Sequence, residues 1–339
     1  MLLHLASGAG CGAKLGRDAL AAALAVLPAV PADPRVLVGL EARDDACAHL
    51  VADDLAVVAT VDVSPPMTDA PADYGAIAAL NALGDLHAMG ATPLLALAVC
   101  AFPGDEPDAL AAVLAGGAAA ALAEGCPVLG GHTVQAAEPL YGLAAIGTAH
   151  PDRLTTTDAG RPGDLLVLTK PLGTGVVVTA RGAGLAAPAA VAACREAMLR
   201  SNGPAARAAA AAGVRAATDV TGDGLIGHLA GLAAASGVSA RLDAAAVPVL
   251  PGARDLATAV APSGGLRRNR AAAAKEGIDV PDALLHDPQT NGGLLLAVRP
   301  DRAPVLLDSL RRGGDPAAAV VGSLGDGPAG SVTVEQNGL

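Results

Sequence analysis

Residues 73–90 read Asp-Tyr-Gly-Ala-Ile-Ala-Ala-Leu-Asn-Ala-Leu-Gly-Asp-Leu-His-Ala-Met-Gly. Asp73 is a suitable helix cap, because its carboxylate can accept a backbone N–H left over in the first turn. Gly90 is a suitable stop, because glycine closes a helix without steric penalty. The pattern predicts a helix over residues 73–89, with Ile77, Leu80 and Leu83 on its core side. Asn81 and Asp85 are four residues apart and share one face. An amide and a carboxylate stacked in that way suit a solvated polar stripe or a metal–phosphate site. The site is the better reading, because carboxylates recur at the ends of neighbouring elements.

Before this helix, residues 35–40 and 57–61 read as strands. Glu41-Ala42-Arg43-Asp44-Asp45-Ala46 follows the first, and Asp62 ends the second. Loops at strand ends commonly carry ligand groups. After the helix come an apolar strand at 93–102, an alanine-rich helix at 107–124 and a short strand at 127–129. That strand leads into a Gly130-Gly131-His132-Thr133 turn, whose backbone N–H groups could meet phosphate. A strand at 140–148 completes the first half. Pro151, Gly160, Pro162, Gly163 and three threonines then mark a boundary, dividing the chain into domains 1–152 and 153–339.

The second half restarts with a strand at 164–169. Lys170-Pro171-Leu172-Gly173-Thr174-Gly175 follows, a glycine turn into a helix that lacks the Walker pattern of a P-loop. Residues 189–212 read as a helix or a broken helix pair. Asp219 ends another strand, ahead of a glycine turn and an apolar helix. A strand at 238–242 and a polar loop at 263–270 come next; its Arg267, Arg268 and Arg270 suit phosphate or solvent. His286-Asp287-Pro288-Gln289-Thr290-Asn291-Gly292-Gly293 precedes a strand at 294–298, and a helix at 303–312 with strands at 317–321 and 332–334 closes the chain. Both halves mix strands and helices without strict alternation, so the fold class is α+β with two domains.

At the N-terminus, Ser7-Gly8-Ala9-Gly10-Cys11-Gly12-Ala13-Lys14 surrounds one thiol with glycines and places an ammonium three residues later. Glycine permits close backbone approach to a ligand, and the Lys14 ammonium could be a cation that favours the reactive thiolate or could meet a phosphate. Such a mobile loop, spanning about residues 1–16, suits an anionic substrate. The formal charge of −11 over 339 residues argues against a nucleic-acid partner. Five separated cysteines with no CxxC suit a reducing cytoplasm and give no zinc site. Residues 86–104 lack Asp, Glu, Lys and Arg, yet His87, Gly90, Pro93, Pro103 and Gly104 interrupt them, so no membrane span is expected.

Taken together, GAGCGAK, EARDDA, TVD, NALGDLHAMGATP, GGHT, TDVTGDGLIGHL and DPQTNGGLLLAV resemble the selenophosphate synthetase (selenide, water dikinase) family. The resemblance spans nearly the whole chain. The NALGDLHAMGATP segment specifies only the wider aminoimidazole ribonucleotide synthetase superfamily; the glycine–cysteine–lysine loop with DPQTNGG is narrower. The resemblance implies formation of selenophosphate, AMP and orthophosphate from ATP, selenide and water. It implies Mg²⁺ as the metal, K⁺ as an activator, and a homodimer whose N-terminal domains share a barrel of strands. Cys11 and Lys14 match the family's catalytic positions. Asp45, Asp85 and Asp219 match its metal-binding aspartates. Lys14, Arg43, Asp44, Asp62, Asp85, Gly131, His132 and Thr133 match its ATP-binding positions. Ala13, Ala42, Asp223 and Asn291 depart from the family pattern; Ala13 stands where a second cysteine is common, which leaves Cys11 a single-thiol role.

Overall fold

The structure, a computed structural model, describes residues 2–6, 8–28 and 31–335. Ser7, quoted above with the glycine loop, lies outside them. The N-terminal half contains helix α1 (Arg17–Leu24) and strands β1 (Val36–Val38), β2 (Cys47–Ala52) and β3 (Leu55–Ser64). Helix α2 (Pro71–Ala88), β4 (Thr92–Phe102), α3 (Pro107–Ala123), β5 (Val128–Gln135) and β6 (Leu140–Ala149) follow. The six strands form one sheet in the order β1-β2-β3-β6-β4-β5. All neighbours are antiparallel except β4 and β5, which α3 connects as a crossover.

Alternation sorts the residues of β3 onto two faces. Ala56, Val58, Asp62 and Ser64 are buried, and Thr60 points to the same side, toward α2. Val61 points the other way and is 65% exposed. The register lines Val61 up with Ala144 of β6 and Leu97 of β4 on that outer face. Among the described residues the N-terminal sheet is open in this single chain, with β1 and β5 at its edges, and forms no closed barrel.

Alanine and glycine let α2 and α3 approach closely. A Cβ added to Gly75 would stand 1.9 Å from the Val113 carbonyl oxygen, and one on Gly116 would stand 2.0 Å from that of Ala72. Tyr74 and Tyr141, the only two tyrosines, meet edge to face beneath them with centroids 6.3 Å apart. Gly116→Ala is therefore expected to destabilise the protein by about 1–3 kcal/mol, although alanine by itself favours a helix by about 1 kcal/mol. Urea unfolding checks this, and an unchanged or raised midpoint would contradict the close-approach account.

The second half contains β7 (Leu165–Leu168), α4 (Thr174–Gly182), α5 (Pro188–Leu199), α6 (Gly203–Ala212), β8 (Ala216–Asp219) and α7 (Gly224–Ala235). It continues through β9 (Ser239–Asp243), α8 (Ala253–Ala259), α9 (Gly264–Lys275), β10 (Leu294–Val298), α10 (Ala303–Arg312), β11 (Ala319–Gly325) and β12 (Val332–Glu335). Its sheet order is β12-β9-β11-β7-β10-β8. The fold is thus two mixed α+β domains. No helix among the described residues is long and apolar enough to cross a membrane.

Several local expectations change. Helix α2 starts two residues early, at Pro71, whose fixed φ suits the first helical position; Asp73 binds Arg195 instead of capping. β2 has no counterpart among the expected strands, because Cys-Ala-His-Leu-Val-Ala alternates too weakly to announce itself. The expected polar loop at 263–270 is the start of α9. The Ser263 hydroxyl accepts the Leu266 N–H at 3.1 Å, and Leu266 and Ala273 are buried. The GGHT turn is instead the middle of β5, where Gly131 lies beside Ala98 so closely that a Cβ would come 2.2 Å from the Ala98 carbonyl oxygen. Close strand packing, not a turn, requires that glycine.

Candidate active site

The site forms where the buried face of β3 meets α2, and the ends of β8 and β10 close over it. Two residues along a strand and four along a helix both advance about 6–7 Å. Asp62 and Thr60 of β3 therefore match Asn81 and Asp85 of α2. Asn81 Nδ2 donates to Asp62 Oδ2 at 2.6 Å, and Thr60 Oγ1 donates to Asp85 Oδ2 at 2.6 Å. β8 and β10 pair with Asp219 opposite Leu294, which sets the Asp287–Gly293 segment beside the carboxylate. Gly84 keeps α2 close to β8: a Cβ there would stand 3.0 Å from Asp219 Oδ2.

Threonine hydroxyls orient all three expected metal carboxylates. Besides Thr60 on Asp85, Thr218 Oγ1 donates to Asp45 Oδ1 at 2.9 Å and Thr221 Oγ1 donates to Asp219 Oδ1 at 3.4 Å. His228 of α7 extends this arrangement. Its Nε2 accepts the Thr221 N–H at 3.1 Å, which assigns the proton to Nδ1, 3.3 Å from Thr218 Oγ1. Ligand atoms of Asp45, Asp219 and His228 lie within 4.8 Å of one another. Asp45 Oδ2 is buried with no hydrogen-bond partner among the described residues.

Burial and mutual repulsion push the Asp45 and Asp85 carboxyls well above their ordinary range, and burial also raises Asp219. Two carboxylates 4 Å apart repel by about 4 kcal/mol at an effective dielectric of 20. A cluster of this kind with an orphaned oxygen fits a hard divalent cation. Oxygen donors match Mg²⁺, which takes few carboxylates and shares its remaining positions with phosphates and water.

The N-terminal loop reaches into the same place. Residues Gly10–Ala13 form a 3₁₀ turn, and Cys11 is fully buried. Its Sγ donates to Asn81 Oδ1 at 3.2 Å, and its N–H donates to Thr290 Oγ1 at 3.2 Å. Gly10 must be glycine here, having φ 49° and lying where a Cβ would come 2.2 Å from that hydroxyl. Lys14 Nζ pairs with Asp62 Oδ2 at 2.9 Å. The Asn81 amide thus joins the thiol on one side to the Lys14–Asp62 pair on the other. Its orientation is fixed by the Asn291 N–H, which donates to Asn81 Oδ1 at 2.6 Å from a left-handed backbone with φ 45°. Burial pushes the Cys11 thiol up to about 12; Lys14 opposes this, and Asp62, Asp219 and Asp85 add to it. The expectation that Lys14 favours the thiolate is right in sign, but burial outweighs it.

The structure brings Cys11, Lys14, Asp45, Asp62, Asp85 and Asp219 together. Asp44 stands beside them, with Oδ2 accepting the Thr157 N–H at 3.0 Å and the Thr157 hydroxyl at 3.2 Å. Arg43 is exposed on the preceding turn. Gly131, His132 and Thr133 lie on the edge strand β5, separated from β3 by β6 and β4. At about 4.8 Å per strand they stand about 14 Å across the sheet from Asp62. Thr60, Thr218, Thr221, Thr290 and His228 join the site without being among the residues the sequence singles out. Thr60 and Thr218 sit in strands, where threonine is an ordinary β-former, and His228 sits in an apolar helix with no sequence mark of its role.

The comparisons with known proteins agree with this architecture. Residues 43–149 match the family described as AIR synthase related protein, N-terminal domain, and residues 161–335 match its C-terminal domain family. A selenide, water dikinase from Pelobacter propionicus is 43% identical over 346 residues, covering 98% of both chains. One from Burkholderia ambifaria is 41% identical, covering 96% of this chain and 95% of its own. Among solved structures, hydrogenase maturation protein HypE in complex with ATP aligns with a TM-score of 0.67 at 21% identity, over 90% of this chain and 87% of that one.

Proposed function

We propose, from the premise that this chain belongs to the selenide, water dikinase family of AIR synthase related proteins, that it makes selenophosphate at the site where its loop thiol meets the carboxylate cluster. The protein is an enzyme, and its reaction converts ATP, selenide and water into selenophosphate, AMP and orthophosphate. The observation that carries the site assignment is Asn81, whose one amide holds both the Cys11 thiol and the Asp62–Lys14 pair.

Phosphoryl transfer depends mainly on positioning and on stabilising charge. Asp45, Asp85 and Asp219 would hold Mg²⁺, which supplies charge neutralisation for the triphosphate. Lys14 lies where its ammonium can turn from Asp62 to a transferred phosphoryl group. The docked loop, which buries Gly10 and Cys11, keeps bulk water from the first transfer, and Cys11 positions selenium beside it. K⁺ is proposed as an activating ion, and the cytoplasm as the place of action, in keeping with five unpaired thiols.

A homodimer is part of the same proposal. The outer face of the N-terminal sheet exposes Val61, Leu97 and, on β5, Leu129 and Val134, an apolar surface of the kind that marks an interface. Pairing through it would let Gly131, His132 and Thr133 meet nucleotide held largely by the other copy. Arg43 and Asp44 would contribute from the rim of the cluster.

Because Thr218 links His228 to Asp45, Thr218→Val is expected to weaken the apparent Mg²⁺ affinity by about 10–100-fold, as is usual for a residue supporting a metal ligand. A Mg²⁺ titration of ATP binding by calorimetry checks it; an unchanged dependence would remove Asp45 from the metal set. The reaction itself is tested by chromatography of the nucleotides formed anaerobically with and without selenide. Selenide-dependent AMP supports the dikinase. ADP as the lasting product would indicate an ordinary small-molecule kinase of the same superfamily, and binding without turnover would indicate a carrier.

A further inference from the structure

We propose that Arg268 of α9 is the latch that holds the thiol-bearing loop shut, a positioning residue through which the C-terminal domain controls access to Cys11. This rests on the reading above only for its catalytic consequence; the latch itself is a matter of geometry.

The Gly10–Ala13 turn is too short to satisfy its own last carbonyls, which helix ends commonly leave to a basic side chain. Arg268 supplies one. Its Nη1 donates to the Lys14 carbonyl at 2.5 Å and to the Gly12 carbonyl at 3.4 Å. The two contacts flank Ala13 and lie next to both catalytic positions. The arginine stem runs along Gly16, where a Cβ would stand 2.8 Å from Arg268 Cδ. One turn earlier in α9, Gly265 approaches so closely that a Cβ would come 2.9 Å from the Gly12 carbonyl oxygen. The seat is completed by Gly222, where a Cβ would stand 3.1 Å from the Cys11 carbonyl oxygen, and by the Thr290 hydroxyl on the Cys11 N–H.

These seat contacts come from the C-terminal domain and add to those that the loop makes within its own domain, Cys11 Sγ on Asn81, Lys14 on Asp62 and the Gly10 N–H on the Pro65 carbonyl at 3.3 Å. α9 is anchored in turn: Asn269 Nδ2 donates to the Gly222 and His286 carbonyls at 2.8 and 3.0 Å. Arg268 therefore ties the loop to the segment that carries Asp287–Gly293, not to solvent or to phosphate. Its neighbour Arg267 points elsewhere, to the Pro262 carbonyl at 2.5 Å, and serves as a control on the same helix.

The test is the rate at which chloroacetamide labels Cys11 in the ligand-free full-length protein, read by peptide mass spectrometry. Cys47, exposed on β2, is the internal reference. Arg268→Gln is expected to speed Cys11 labelling by about tenfold, the effect of losing one charge-assisted hydrogen bond, with Cys47 unchanged. Arg268→Lys, which keeps the charge but not the fork, is expected to fall between. Arg267→Gln should label at the wild-type rate. Loss of a cation disfavours thiolate, so faster labelling reports exposure. A wild-type rate in Arg268→Gln, or an equal increase in Arg267→Gln, would overturn the latch. In turnover, Arg268→Gln should form more AMP per selenophosphate than wild type, because an open loop admits water; an unchanged ratio would overturn the latch's part in catalysis. If wild-type protein made no selenophosphate, the functional reading would fail while the labelling result stood.

Discussion

Replacing Cys11 by serine is expected to cut selenophosphate formation by about 10²-fold or more, the range for removing a group that acts at the reacting atoms, with ATP affinity nearly unchanged. The two effects separate because of where the thiol sits. Cys11 Sγ is held by Asn81 Oδ1, and its N–H by Thr290 Oγ1. A serine hydroxyl can make the same donor contact, so the loop should still dock. None of the three expected metal carboxylates depends on the sulfur for its hydrogen bond, since each is oriented by a threonine. Ala13 leaves no adjacent second thiol to substitute. The check is a selenophosphate assay run beside calorimetric ATP binding. Full synthesis by Cys11→Ser would remove the thiol from the chemistry, and loss of ATP binding would make its role structural.

Asp85→Asn is expected to act in two opposite directions. Metal-dependent ATP binding should fall by about a hundredfold or more, beyond the loss of a mere supporting residue. Stability without metal should rise at neutral pH. The Asp85 carboxyl is raised by burial and by Asp219 and Asp62, so its folded-state value lies above that of the unfolded chain. Such a group favours the fold fully below the unfolded value and progressively less as pH rises through the folded one. Asparagine does not ionise and can still accept the Thr60 hydroxyl. Its advantage in thermal unfolding without Mg²⁺ should therefore be present at pH 8 and shrink toward pH 4. A variant that binds ATP with the wild-type Mg²⁺ dependence, or is less stable than wild type at pH 8, would contradict the assignment. Exchanging stability for a charged site is common in enzymes.

Legibility in the sequence followed the length over which a signal is written. The α2 helix was readable because apolar residues recur along eighteen positions, and Asn81 and Asp85 were readable as one face. Asp45 and Asp219 stood out as carboxylates beside strand ends; Asp62 stood out on the same expectation, but β3 runs on to Ser64 and holds Asp62 on its buried face. Chemistry carried by pairing between distant strands was not readable. Nothing local says that Thr60 faces Asp85, that Thr218 faces Asp45 from the other domain, or that β8 lies beside β10 with Asp219 opposite Leu294. The glycines misled in the same way: those in GGHT suggested a phosphate turn, yet Gly131 serves the approach of β5 to β4. The arginines of 263–270 suggested a solvated loop, but one serine cap and two buried apolar residues were enough to make a helix there.

The measurement that bears most directly on the account is phosphorus NMR of the purified protein with ATP, Mg²⁺, K⁺ and selenide enriched in its magnetic isotope, under anaerobic conditions. A bond between phosphorus and selenium splits the product resonance. The expected result is a split selenophosphate signal that grows in step with AMP and orthophosphate and is absent without selenide. Orthophosphate and ADP growing with no split signal, in protein that is folded and binds ATP, would contradict the assignment of this thiol and carboxylate site to selenophosphate synthesis.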